Sequence, residues 1–265
     1  MPREAAALRG DGTAFGEGLG CYTSARVEDG RVRFEAQHLE RLRRDARSLG
    51  LGDPDAEACR EALRALARGA FGGGCGVVRL QLSRDAAGAL HMVGVPRALG
   101  AEGAPWTALL APFAHPGPSP WSGAKVSDQP LLLRARDAAR AAGADETLLL
   151  DAAGFLVEGA RSNLVVVTAE GAWVTPPLRR GGVSGVARTL LLETARELRE
   201  ADVARPELME ARELVAVNAV RGAVPVVRLD GRPVADARPG PAAARLAQLL
   251  EQAENEGADR PIPAC

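Results

Sequence analysis

The hydrophobic positions change period several times along the chain, and those changes predict its elements. In "AQHLERLRRDARSLGL", Leu39, Leu42, Ala46 and Leu49 fall on one helical face with charge on the other. "DPDAEACREALRALARGAF" predicts a second amphipathic helix, opened by Asp53-Pro54. The pattern then becomes strand-like in "GVVRLQLSR", "LHMVGVPR" and "WTALLAPF", the first two joined by the turn residues "DAAGA". The proline- and glycine-rich stretch "AHPGPSPWSG" predicts an interdomain connection, with boundaries 1–112, 113–124 and 125–265 for a small domain, a loop and a larger domain.

The second half opens with the helix "PLLLRARDAARAAGA", in which Gly143 fits a C-cap. "DETLLLD", "GFLVEGA", "SNLVVVT" and "AWVTPP" follow as closely spaced strands. "VARTLLLETARELREA" predicts a strong amphipathic helix, "ELVAVNAVRGAVPVVRLDG" more strand, and "PAAARLAQLLEQAENE" a last helix. The tail "GADRPIPAC" is expected to be loose. These elements predict a two-domain α/β (α+β) protein.

Composition narrows the function classes. At 265 residues, 46% apolar and 25% charged, the chain reads as an ordinary soluble globular protein. Its net charge of −1, with arginines spread among 34 acidic residues, speaks against nucleic acid as a partner. No run approaches the ~18 apolar residues of a membrane span. "MPREAAALRG" lacks the apolar core of a signal peptide, so the expected location is cytoplasmic. Cys21, Cys59, Cys75 and Cys265 have no CxxC spacing, and His38, His91 and His115 are isolated, so neither a metal nor a redox pair is expected.

Candidate chemistry begins with "SPWSGAKVSDQP", whose Lys125 is the only lysine among 33 Lys plus Arg. Arginine replaces lysine wherever charge alone is needed, but a guanidinium cannot deprotonate and attack a carbonyl carbon. Glu158 in "LVEGARSNLVVV" interrupts an apolar strand segment, and a buried carboxylate needs a donor. "GGVSGVART" leads into a helix whose Val186 and Ala187 amides could hold an anion. "GEGLG" lacks GxGxxG spacing and reads as a turn, and no GxSxG elbow is present. Taken singly, each positive feature has an ordinary reading: a surface lysine, a solvent-facing acid, a plain helix entry. Together, an amine, a later acid and an anion-binding helix start suggest pyridoxal phosphate.

That order resembles the class IV aminotransferase family, the fold type IV pyridoxal-phosphate enzymes, over nearly the whole chain. "GCYTSARVEDGRV" is similar to the family's "F-E-T-x-R-V-x-D-G", "GADETLLLDAAGFLVEGARSNLVVV" to "ADE-LLLD--G-V-E----NL", and "TPPLRRGGVSGVAR" to "TP-L--GI-R". The resemblance implies the Schiff-base lysine at Lys125, the pyridine-nitrogen carboxylate at Glu158, and further cofactor contacts from Arg41 of "HLERL", Asn163, Val186, Ala187, Asn218 and Ala219. It also implies a cofactor between the domains, a homodimer and a small-molecule amino substrate. Within the family, "GCYTSARV" is most similar to 4-amino-4-deoxychorismate lyase, which implies release of pyruvate and 4-aminobenzoate for folate synthesis. Thr23 would then be catalytic, with Tyr22, Arg26 and Arg84 on the substrate side. The alternatives are a transaminase acting on branched-chain or D-amino acids with a 2-oxo acid, and a catalytically silent relative with a binding role. After Lys125 the chain departs from the family's "x-L-N", having Val126, Ser127, Asp128, Gln129 and Pro130.

Overall fold

The computed structural model describes Thr13 and residues 17–258, with 256–258 in backbone only. The opening decapeptide, Gly16 of "GEGLG", the tail beyond 258 and Cys265 lie outside the described residues. The chain divides into two compact units. One takes the described residues up to Ala101 together with Ala124–Gln129, and the other takes Glu102–Gly123 and the described residues from Pro130 onward.

The first unit is an antiparallel sheet in the order β2-β1-β3-β4, formed by β1 (Cys21–Glu28), β2 (Arg31–Val32), β3 (Gly76–Arg84) and β4 (Leu90–Arg97). Helices α1 (Glu35–Ser48) and α2 (Ala56–Phe71) carry apolar faces that share one core with this sheet. Cys21, Ala25 and Val27 of β1 and Val78, Leu80 and Leu82 of β3 join Leu42, Ala46 and Leu63 in it. Each of the larger side chains contributes about 1.5–3 kcal/mol by leaving water. The period of two thus sends one set of strand residues to the helices and frees the other set for chemistry. Helix α2 begins later than Asp53-Pro54 predicts. Asp55 is the cap, accepting from the Glu57 and Ala58 amides at 2.8 and 3.1 Å, while Asp53 pairs with Arg47 at 2.5 Å.

The second unit is built on a nine-stranded mixed sheet in the order β10-β9-β8-β11-β12-β5-β6-β7, with β13 paired to β12. Its strands are β5 (Trp106–Leu110), β6 (Glu146–Leu150), β7 (Leu156–Gly159), β8 (Asn163–Val167), β9 (Trp173–Thr175), β10 (Leu198–Glu200), β11 (Glu213–Asn218), β12 (Gly222–Leu229) and β13 (Arg232–Pro233). Three helices longer than two turns accompany it: α3 (Pro130–Ala141), α4 (Val186–Thr194) and α6 (Pro241–Ala258), with the short α5 (Arg205–Met209) before β11. Strands β6 and β8 are buried along nearly their whole length, which explains why they read as unbroken apolar runs.

Two expectations need correction. The helix predicted over "VARTLLLETARELREA" stops at Thr194, where Ala195 turns to an extended conformation. Leu198–Glu200 then becomes β10, paired in parallel with Trp173–Thr175. Edge pairing and burial of Leu198 outweigh a helical propensity worth tenths of a kcal/mol per residue. The division into units also falls elsewhere than at 113–124. Strand β5 pairs with β12 and β6, so it belongs to the second unit. Lys125 lies beside β1, bridged through Val126 to Cys21, so the lysine belongs to the first unit.

Candidate functional site

In the first unit the site is built around the start of β1. Segment 125–127 lies antiparallel to it, with Tyr22 N–H donating to the Lys125 carbonyl at 3.0 Å and Ser127 N–H to Gly20 at 2.7 Å. Val126 faces the core with Cys21, so Lys125 shares the opposite face with Tyr22. The Lys125 amine stands 4.9 Å from the centroid of the Tyr22 ring. The same ring carries the Arg79 guanidinium at 3.6 Å, and its hydroxyl donates to Gln129 Oε1 at 3.2 Å.

Alternation along β1 places Ser24 on this face and Thr23 on the other. Thr23 is fully buried, accepts a hydrogen bond from Arg41 Nη2 and lies 2.6 Å from His38 Nδ1. Its hydroxyl therefore serves Arg41 and His38 beneath the sheet. It does not share the Lys125 face. Burial, and secondarily the neighbouring Arg41 charge, hold His38 well below its ordinary pKa, so it stays neutral. Burial also lowers Arg41 to about 10, opposed by Asp45. Arg41 is 6% exposed, and its Nε is buried without a hydrogen-bond partner. A guanidinium N–H in that state calls for an acceptor, and a phosphate oxygen is the kind that matches its charge. By this test the residues present fit a phosphate-bearing cofactor.

The two expected substrate arginines sit apart from the lysine's neighbours. Arg84 Nε donates to the Leu51 carbonyl at 2.8 Å, and its strand position faces the helices. Arg26 is on the Lys125 face but pairs with Glu28 at 2.5 Å, four residues along the strand from Tyr22. Arg79, opposite Ser24 in the ladder, is the strand arginine beside Tyr22. The sequence holds a signal for it: Arg79 and Gln81 are the polar breaks in "GVVRLQLSR", spaced by two.

In the second unit the central piece is a glycine-rich turn, residues 181–185. Glu158, on β7 and 4% exposed, accepts the Val183 N–H at 2.9 Å. Asn163, at the start of β8, donates from Nδ2 to the Val183 carbonyl at 2.8 Å. A Cβ on Gly185 would stand 2.2 Å from Asn163 Oδ1, and one on Gly181 would stand 2.4 Å from the Gly117 carbonyl, at a φ of +99°. Only glycine fits at either position. Val186 and Ala187 follow as the buried first turn of α4, whose N-cap Gly185 offers no side-chain cap to their amides. Val183, three residues before α4, is the residue whose N–H meets Glu158. Asn218 closes a turn at the end of β11, its Oδ1 accepting the Val220 and Arg221 amides at 3.0 and 2.8 Å with Ala219 buried between.

The structure thus brings Lys125 and Tyr22 together on one face, Arg41 and Thr23 beneath it, and Glu158 and Asn163 around Val183. Among the described residues no group of three or more His, Cys, Asp or Glu could hold a metal, and Cys21, Cys59 and Cys75 are free thiols. No helix among them is long and apolar enough to cross a membrane.

Comparison with known proteins gives three kinds of likeness. The model of a family described as amino-transferase class IV matches residues 20–229. The branched-chain-amino-acid aminotransferase of Escherichia coli (strain K12) is 33% identical over 116 residues, 42% of this chain and 37% of that relative. The match therefore spans well under half of the relative's length. Among solved structures, a hypothetical aminotransferase from Mycobacterium tuberculosis in its PLP-bound form superposes with a TM-score of 0.84 at 22% identity, covering 97% of this chain and 96% of that one. A candidate 4-amino-4-deoxychorismate lyase from Legionella pneumophila gives 0.84 at 20% identity, covering 94% and 96%. At such identities the two structural likenesses concern the fold.

Proposed function

The chain belongs to the class IV aminotransferase family, and from that premise we propose a pyridoxal-phosphate lyase acting on 4-amino-4-deoxychorismate, released as 4-aminobenzoate and pyruvate. The observation that carries the reading is the face of β1 shared by Lys125, Tyr22 and Ser24, with Arg79 stacked on the tyrosine. Bound through Lys125, the cofactor supplies an electron sink for bond breaking at the amine-bearing carbon of the substrate.

The chain's own residues do the rest. Lys125 Nζ would take and return protons at the substrate. Glu158 would keep the ring nitrogen protonated, and the Val183 N–H fixes the direction of its carboxylate. The Arg41 Nε N–H would suit a phosphate oxygen, and the resemblance assigns the amides at the start of α4 and the Asn218–Ala219 turn to the same group. On the substrate side, Arg79 presents a cation for a carboxylate. Ser24, with its hydroxyl on the lysine's face, replaces Thr23 as the donor to the departing enolpyruvyl carbon.

A second reading, transamination of a branched-chain or D-amino acid, is favoured by the likeness to the Escherichia coli enzyme. Incubation with 4-amino-4-deoxychorismate alone, then with alanine or branched-chain amino acids plus 2-oxoglutarate, separates them. Release of 4-aminobenzoate without any keto acid supports the lyase; glutamate formation alone replaces it with the transaminase. For the cofactor, borohydride should fix the label on the single lysine-bearing peptide, and label elsewhere would overturn the role of Lys125. The resemblance also supports a homodimer, which sedimentation equilibrium would register as twice the chain mass.

A further inference from the structure

Asp45 lies one helical turn after Arg41 on the buried side of α1 and is 1% exposed. Its two oxygens work in different directions. Oδ2 accepts the Lys125 backbone N–H at 2.9 Å, across 80 residues of sequence. Oδ1 accepts from Arg44 at 3.0 Å through Nε and 2.8 Å through Nη2. A carboxylate this deeply buried is tolerable only when both oxygens are engaged, and here one of them is spent on the lysine's main chain.

Around Lys125 the chain is anchored at Gly123, which pairs with Gly182 and Ser184, and at Gln129, which accepts from the Tyr22 hydroxyl. The bridge of Val126 to Cys21 is isolated, and its ladder is the pair of bonds from Tyr22 N–H to Lys125 and from Ser127 N–H to Gly20. Between those anchors, the Asp45 carboxylate reaches the lysine's own backbone N–H. We propose that Asp45 is a positioning residue for Lys125. Helix α1 holds the lysine's backbone through this carboxylate, and so aims the amine over the Tyr22 ring, with Arg44 as the counter-ion that keeps Asp45 in place. One helix would then set both Arg41 and Lys125. This rests on Lys125 being the reacting amine.

The test uses the fact that Lys125 is the only lysine. Reductive ¹³C-methylation of the cofactor-free protein gives one lysine resonance besides the terminal amine, so the amine's surroundings are read without any turnover. In Asp45→Ala that resonance should shift or broaden, and borohydride trapping at limiting pyridoxal phosphate should fall roughly tenfold, the worth of one charge-assisted hydrogen bond. Asp45→Asn, which keeps an acceptor for the Lys125 N–H, should return both readings most of the way to native. Arg44→Ala, at a side chain 44% exposed, should move the resonance in the same direction by less. That variant decides the matter if Asp45→Ala does not fold. A native resonance in Arg44→Ala and in a folded Asp45→Ala overturns the proposal. Failure of the native protein to trap cofactor overturns the reading of Lys125 instead, and leaves the resonance test standing.

Discussion

The two units prepare their chemical groups by opposite means. In the first, side chains hold side chains: Thr23 holds Arg41, Arg44 holds Asp45, and Tyr22 takes Lys125 and Arg79 on its ring. In the second, backbone does the holding. Glu158 and Asn163 both grip Val183, in a turn where Gly181 and Gly185 leave no room for a Cβ. A side-chain network can lose one member and relax, whereas a turn fixed by close backbone approach has no such slack. The second unit should therefore fail through stability and the first also through function.

Glu158→Gln is the largest expected effect, and it breaks that rule at one point. The amide oxygen still accepts the Val183 N–H, so the melting temperature should hold. Turnover should fall by on the order of 10²-fold or more, because a neutral amide no longer keeps the ring nitrogen protonated. Equal losses in both would reduce Glu158 to a structural role. Gly185→Ala comes next, with a cost of about 1–3 kcal/mol in denaturant unfolding from the collision with Asn163. A neutral result there would show that the turn has slack after all.

Thr23→Val should cost about 1–3 kcal/mol of stability, because buried groups of Arg41 and His38 lose their partner. It should also weaken pyridoxal-phosphate affinity by about 1 kcal/mol, since Arg41 loses the bond that orients it. Ser24→Ala should do the reverse, sparing cofactor binding and lowering turnover. Equal behaviour of the two variants would remove the distinction between the faces of β1.

The smallest effect concerns Glu146, 1% exposed, whose carboxylate accepts from Ser162 Oγ at 2.6 Å and from the Thr147 N–H at 2.9 Å. Burial raises its pKa above the ordinary 4.5, and these bonds only partly offset the shift. A raised carboxyl contributes stability that is complete below the unfolded value and is lost as pH rises through the folded one. Unfolding free energy should thus decline with pH above about 4.5 in the native protein and less in Glu146→Gln, as chemical denaturation across that range would register.

How much was legible in the sequence follows the same division. The elements of the first unit were readable nearly to the residue, since period and turn chemistry agree in "GVVRLQLSRDAAGALHMVGVPR". Lys125 stood out because nothing else in the chain can do what an amine does. What could not be read was register. Whether Thr23 or Ser24 joins Lys125 depends on Val126 lying opposite Cys21, a pairing between residues more than a hundred positions apart. The end of α4 was hidden for a related reason, because β10 exists only through its partner β9. The start of α4 was visible as a pattern, whereas the grip of Glu158 and Asn163 on Val183, a contact across 25 and 20 residues of sequence, was not.

The path of the chain between the units has a consequence for how such a protein can change. It leaves the first unit after Ala101, re-enters it at Ala124 and leaves again after Gln129. A cut at residue 112 would strip β5 from between β12 and β6, opening two sheet edges, and would send Lys125 away with the wrong fragment. Neither unit can be exchanged, duplicated or borrowed as a cassette without breaking the other. Change within one unit must therefore come by substitution or loop insertion, with the chain path between the units kept intact.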